Sequence, residues 1–345
     1  MQRPDLSSVD PEILQYIEYL EKKLGLGSPK TKPEEITPIS TTEIIYTEPE
    51  TTHCILTLSQ DGYIKRTYRH LYFRQHRGGM GVFDLDVNSP DSPVLLANAD
   101  EGQIMLLFTN LARVFRYPVK NIVSQPVRAR GDQAFERLGL SPDEKIVAAL
   151  PEQARGYVAL VSKIGKVRSL RHHLFGEHMR PGNPLFNVTE FGQLAAACWS
   201  PGDGDLFVLS RTGIAIRFSE KALPPQGGVG LRVADGDEVV AITPVDENSS
   251  VFMLGADGKG TIRLMSGFLA NKTPGGNGKI AMKNTHLVGA ASVSPEDEIF
   301  AVSKQSKIIR FKADEVPPTD GVVQGVNCLG MRQDEVVAFV STGVF

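Results

Sequence analysis

Ile55-Leu-Thr-Leu-Ser59-Gln-Asp-Gly62-Tyr-Ile-Lys-Arg66 is the stretch that decides the architecture. A run rich in apolar and β-branched residues ends in a small residue, Asp-Gly turns the chain, and a second run ends in Arg. Asp-Gly between two such runs signals a hairpin, because the tight turn needs a residue that accepts positive φ. The phrase returns as Leu106-Leu-Phe-Thr109 through Arg116, Ala159-Leu-Val-Ser162 through Arg168, Phe207-Val-Leu-Ser210 through Arg217, Phe252-Met-Leu-Gly255 through Arg263, and Phe300-Ala-Val-Ser303 through Arg310. The small residues 59, 109, 162, 210, 255 and 303 are 45 to 53 residues apart. In the second copy Ala112 stands where the turn usually has Gly.

A period near 50 built from such hairpins means one small sheet per repeat. A sheet of that size cannot bury both faces alone and must stack on its neighbours. Six sheets set radially shield most of their edges, so the expected fold is all-β and six-bladed, a propeller-like ring. Helical periodicity is nearly absent after residue 53, and short exceptions such as Ala134 to Leu138 belong on connections.

A second phrase follows about 20 residues after the marker in at least four repeats: Gln75-His-Arg-Gly-Gly-Met-Gly81, Gln226-Gly-Gly-Val-Gly230, Pro274-Gly-Gly-Asn-Gly278 and Val323-Gln-Gly325. Glycines so clustered permit positive φ and close backbone approach, which reads as a structural turn in the later copies. The first copy differs by its charge.

Residues 1–52 have another character. Asp10-Pro-Glu, then Ile13, Ile17, Leu20 and Leu24, closing at Gly25, describe a capped amphipathic helix of about four turns. Such a helix is marginal alone, which leaves two readings open: docking on the body, or pairing with a second copy as a homodimer. Ser28 to Thr52 is a linker rich in Pro, Thr and Glu, and the body spans residues 53–345. If the acidic linker folds over the body's rim and competes with DNA, its deletion tightens binding.

The whole chain carries a net charge of −3. Residues 1–53 hold ten acids against five bases, so the remainder is slightly positive and any nucleic-acid site must come from local clustering. Composition is that of a globular protein, without the long apolar run of a membrane span or signal peptide, so a cytoplasmic location is expected. Cys54, Cys198 and Cys328 are widely separated and read as reduced, buried thiols.

These repeats and the Gln-x-x-Gly-Gly-x-Gly signature resemble the carboxy-terminal domain of DNA gyrase A and of its topoisomerase IV counterpart. The likeness covers about residues 53–345 and is closest in Leu56 to Thr67 and Ile299 to Phe311. It implies a six-bladed β-pinwheel whose basic rim bends or wraps duplex DNA, with the first blade's box loop required for wrapping. It implies no cofactor or metal. The other subunits of gyrase or topoisomerase IV become candidate partners, and the nucleoid the expected location. The family's breakage-reunion region, with its catalytic Tyr, is missing, so no DNA cleavage is expected from this chain alone.

Lys65, Arg66, Arg69, Arg74 and Arg77 face a single acid, Asp61, within residues 54–83. Such a cluster suits a phosphate backbone by counterion release, and Gln75, His76, Gly78, Gly79 and Gly81 complete the loop, its glycines offering backbone N–H groups. Basic residues near the other turns extend the expected track: Arg113, Arg116, Lys163, Lys166, Arg168, Arg211, Arg217, Lys259, Arg263, Lys304, Lys307 and Arg310. They suit shape-driven binding without base readout. Where the family's box has basic residues, this one has His76 and Met80. That departure supports a rival reading, a protein-interaction scaffold that kept the fold and lost strong DNA binding.

Other chemistry is disfavoured. Gly258-Lys-Gly-Thr261 and Gly278-Lys-Ile280 fail the P-loop pattern. His172, His173 and His178 match no established ligand spacing and sit among Arg168, Arg171 and Arg180, which repel a cation. No local motif suggests a catalytic triad.

Overall fold

Each repeat folds because its middle strand is apolar on both faces. Successive side chains of a strand point to opposite sides. Ile55 therefore enters one core while Leu56 and Leu58 enter the next. A computed structural model of the chain describes residues 48–343 except 87, 89, 90, 134 and 272, together with Ile13 and Leu20. The helix expected from Asp10 to Gly25 lies outside the described residues apart from these last two, both helical and exposed. By compactness the chain divides into Met1–Thr47 and Glu48–Phe345.

The second unit is nearly all-β and consists of six sheets. Middle and outer strands form each hairpin: His53–Ser59 with Ile64–Tyr68, Ile104–Thr109 with Arg113–Pro118, Tyr157–Ser162 with Lys166–Arg171, Asp205–Ser210 with Ile214–Ser219, Ser250–Gly255 with Lys259–Leu264, and Glu298–Ser303 with Lys307–Lys312. An inner strand follows in each blade: Pro93–Asp100, Ile146–Pro151, Leu194–Ser200, Val239–Val245, Leu287–Val293 and Val336–Ser341. The inner strands touch in cyclic order, sixth to first included, around a channel of about 510 Å³.

One apolar core lies between each pair of neighbouring blades. Leu107 and Phe115 meet Leu56 between the first and second, and Phe300 and Val302 meet Ile55 between the sixth and first. Burying a side chain of this size stabilises by roughly 1.5–3 kcal/mol. The hairpin turns keep one geometry throughout. Gly62, Gly165, Gly213 and Gly258 have φ between +78° and +87°, and Ala112 and Ser306 take the same left-handed conformation without glycine, at +55° and +64°.

The blades are joined by exchange. After its outer strand each blade makes a short turn and then a loop that adds a strand or bridge to the preceding blade. Asp132 bridges Ile64, and the two-residue strands Asn183–Pro184, Gly228–Val229, Lys279–Ile280 and Val326–Asn327 each pair with the outer strand one blade back. The first blade's Val82–Phe83 pairs with Ile308 and Lys307 of the sixth. The ring is thereby closed.

Candidate nucleic-acid interface

Strand register decides which cations reach solvent. Leu56, Leu106, Phe207 and Phe300, each three residues before its small marker, pair with Arg66, Arg116, Arg217 and Arg310. At the same register the third blade has Ser169 and the fifth Ile262, so Arg168 and Arg263 are displaced by one residue and point to the opposite sheet face. The four in-register arginines each hold a carboxylate: Arg66 with Glu101 at 2.9 Å, Arg116 with Glu152 at 2.7 Å, Arg217 with Asp205 at 2.7 Å and Arg310 with Glu298 at 2.6 Å.

Two of them also rivet neighbouring blades. Arg217 donates to the carbonyls of Met265 and Phe268, and Arg310 to those of Arg69 and Tyr72. The expected phosphate track is corrected here: Arg66, Arg217, Arg263 and Arg310 are buried, between strands rather than on the rim. Lys65 is corrected as well. It is fully buried against Asp84 at 2.7 Å, beside the Thr57 and Tyr72 hydroxyls that donate to the same carboxylate. Burial pushes its ammonium pKa down, against the opposing pull of Asp84.

The arginines of the first-blade loop are tied down, two by carboxylates and the third by carbonyls. Arg69 pairs with Glu48 at 2.8 Å and Arg74 with Glu298 at 2.5 Å. Arg77 donates through Nε to the Glu315 carbonyl and through its amide to the Glu315 carboxylate, which also lies 3.2 Å from His76 Nδ1. Burial alone would raise the Glu315 pKa, but the Arg77 and Lys312 amides and His76 hold it below the usual carboxylate range. The loop amides are not all free either: Gly78 donates to Cys328 and Gly79 to His76. Gly81, at φ +68°, is a packing glycine, since a Cβ there would lie 2.6 Å from the Ile308 carbonyl oxygen.

Around the remaining turns, Lys163 and Arg211 share Glu238, and Lys304 pairs with Glu335. Lys163 and Glu238 line the central channel rather than the rim. Lys166 donates to the Glu190 carbonyl, Arg168 to that of Leu185, and Arg113 pairs with Glu144. Among the described residues, Lys259 and Lys307 have no carboxylate partner; Lys307 lies 5.7 Å from the Phe83 ring.

Cations outside the expected track are better presented. Lys120, Arg128 and Arg130 of the second blade and Arg171 and Arg180 of the third are exposed, and none has a carboxylate partner among the described residues. The sixth blade's corresponding turn, Ala313–Glu315, carries Asp314 and Glu315, so the rim charge is polarised. Arg128 and Arg130 sit in a box loop of their own, Gln125 to Gly131, with the six-residue Gln-to-Gly spacing of Gln75 to Gly81. That spacing was the available signal. Register identifies the glycine of every loop as Gly81, Gly131, Gly182, Gly227, Gly278 and Gly325, all at positive φ. In the fourth copy the box glycine is therefore Gly227 rather than Gly230.

The family model described as "DNA gyrase C-terminal domain, beta-propeller" matches residues 55–92, 103–151, 204–246 and 297–341. The chain belongs to this family. The matched repeats are the four that carry the in-register arginine, and the two unmatched ones have Ser169 and Ile262 in its place. In fold, this gyrase C-terminal-like chain is similar to a solved structure of a DNA gyrase A C-terminal domain. The TM-score is 0.71 and the identity 22%, over 84% of this chain and 99% of that one. A DNA topoisomerase IV C-terminal domain aligns with a TM-score of 0.59 and 19% identity, over 84% and 93%. Among curated relatives, the gyrase A protein of Mycobacterium bovis (strain BCG / Pasteur 1173P2) is 26% identical over 303 residues, 83% of this chain and 36% of the relative. That of Chlamydia muridarum (strain MoPn / Nigg) is 29% identical over 308 residues, 84% and 37%. The chain thus spans little more than a third of the length of these relatives, and the likeness is to the C-terminal domain, not to the breakage-reunion region.

Proposed function

We propose that this β-pinwheel is a non-catalytic element that binds duplex DNA on its rim and bends or wraps it without reading bases. One observation carries the reading: on a gyrase C-terminal fold, Lys120, Arg128, Arg130, Arg171 and Arg180 are exposed on adjacent blades with no carboxylate partner among the described residues. Cations so presented gain affinity by counterion release, and a convex rim repays the bending of a duplex with further contacts. Gyrase or topoisomerase IV subunits are the partners this reading favours, and a nucleoid-associated, cytoplasmic location follows from it.

A second reading, the protein-interaction scaffold, is favoured by the tied-down first-blade arginines and by Phe73 beside them, 71% exposed. Ligation of nicked plasmid in the presence of the protein separates the two. A shifted topoisomer distribution supports wrapping, and unshifted topoisomers with detectable binding reduce the role to bending. Absence of any DNA complex leaves the scaffold.

A further inference from the structure

We propose that the second blade's box loop, not the first's, is the anchor for nucleic-acid phosphate in this chain, with Arg128 and Arg130 as the contacting residues. The inference rests on the DNA-binding reading and deepens it.

The decisive feature is backbone strain. Arg128 has φ +69°, a left-handed conformation that an L side chain adopts at a cost. Two other blades fill this position with a left-handed glycine. Three residues before the box glycine, the first blade has Gly78 at φ +81° and the fifth has Gly275 at +82°. All three amides make the same joint, each donating at 2.8 Å to the carbonyl three residues past the preceding blade's box glycine: Gly78 to Cys328, Gly275 to Gly230 and Arg128 to Asp84. In these three blades the joint goes with the conformation and not with the side chain. Strain retained at one copy of a repeated turn marks a side chain kept for what it does rather than for the fold.

What this side chain offers is charge. Arg128 is exposed without a carboxylate partner among the described residues, while in the equivalent loop of the first blade Arg74 is paired with Glu298 and the Arg77 guanidinium is engaged by the carbonyls of Glu315 and Asn327. Two residues on, Arg130 lies 4.0 Å from the centroid of the Tyr63 ring, a stacking contact that orients the guanidinium without neutralising it. Gln125 Oε1 accepts from the Gly131 amide at 3.1 Å and closes the loop between them. A guanidinium oriented by a ring and a second two residues away, neither with a carboxylate partner among the described residues, suit adjacent phosphates of one strand.

The test compares Arg128→Gly with Arg130→Gln and with the first-blade pair Arg74→Gln, Arg77→Gln. Each is titrated with a duplex of about 150 base pairs over a range of salt, alongside a thermal melt. Arg128→Gly is expected to melt no lower than the parent protein while its log–log salt slope shrinks by about 0.9, and Arg130→Gln to lose about the same. The first-blade variant is expected to bind with an unchanged slope. Loss of slope in the first-blade variant alone would overturn the assignment and leave DNA binding standing. Failure of the parent protein to bind would remove the DNA reading itself.

Discussion

The backbone N–H of Gln75 donates to the carbonyl of Arg310 at 2.8 Å, the bond that Gln125 makes to Arg66 at the next joint. The seam between the last and first blades is therefore built like an interior joint. Its glycine makes the closure testable. Gly81→Ala places a Cβ 2.6 Å from the Ile308 carbonyl oxygen at φ +68°, whereas at Gly62 the added Cβ meets nothing within 4 Å at φ +85°. The left-handed conformation costs either alanine about 1–2 kcal/mol, and Gly81→Ala adds the clash. Thermal melts should rank Gly81→Ala below Gly62→Ala, and the reverse order would contradict strand exchange at the seam.

The buried Lys65–Asp84 pair predicts an asymmetric pair of mutants. Asp84→Ala leaves an uncompensated ammonium and should cost about 3–5 kcal/mol in urea unfolding, whereas Lys65→Met with Asp84→Leu should cost less. Lys65 has a folded-state pKa below its unfolded value, so between the two the unfolded chain binds more protons and stability rises with pH. The Asp84→Ala deficit should accordingly shrink as pH is raised above neutrality.

Acid should weaken the fold in a defined direction. The Thr52 hydroxyl and the Gly102 amide hold Asp100 below the usual carboxylate range. At Glu48 burial pulls upward, but Arg310 and Arg69 outweigh it. Carboxyls depressed in the folded state contribute stability that is complete above their unfolded values, about 4, and lost as pH falls through the folded ones. The urea midpoint should be insensitive to these groups between about pH 7 and 5 and drop below about 4; Asp100→Asn should lessen the drop.

Burial pushes the thiols of Cys54 and Cys328 up to about 12. Neither should react with a disulfide reagent near pH 8 in the folded protein, and both should react after unfolding in urea. Rapid labelling of the native chain at either position would contradict the core described for the first and sixth blades.

Glu315 restrains the first-blade loop through His76 and Arg77. Glu315→Gln removes the negative charge while keeping an acceptor, so duplex binding should tighten and the salt slope grow by up to about 0.9. An unchanged slope would mean that Arg77 is held out of reach by its bond to the Glu315 carbonyl alone.

The fold was legible because its signal is local. Ile55 to Arg66 and its copies each contain a whole hairpin, and the spacing counts the blades. The exchanged strands were not legible, since two-residue elements such as Val82–Phe83 are shorter than any periodicity. The interface was misread for a related reason. A charge count within residues 54–83 sees Asp61 but cannot see Glu298 and Glu315, which the ring brings against the same loop. The arginine ending each outer strand looked like a rim charge, and only register shows that Arg310 faces Glu298 while Ser169 and Ile262 occupy its place in two blades.

Salt-dependent binding of duplex DNA to the unmodified chain tests the central claim most directly. If the five exposed cations of the second and third blades that have no carboxylate partner among the described residues each contact a phosphate, the log of the binding constant should fall with the log of salt concentration at a slope of roughly −4.5 between about 50 and 200 mM. No binding at the lower salt, or binding indifferent to salt, would contradict the account.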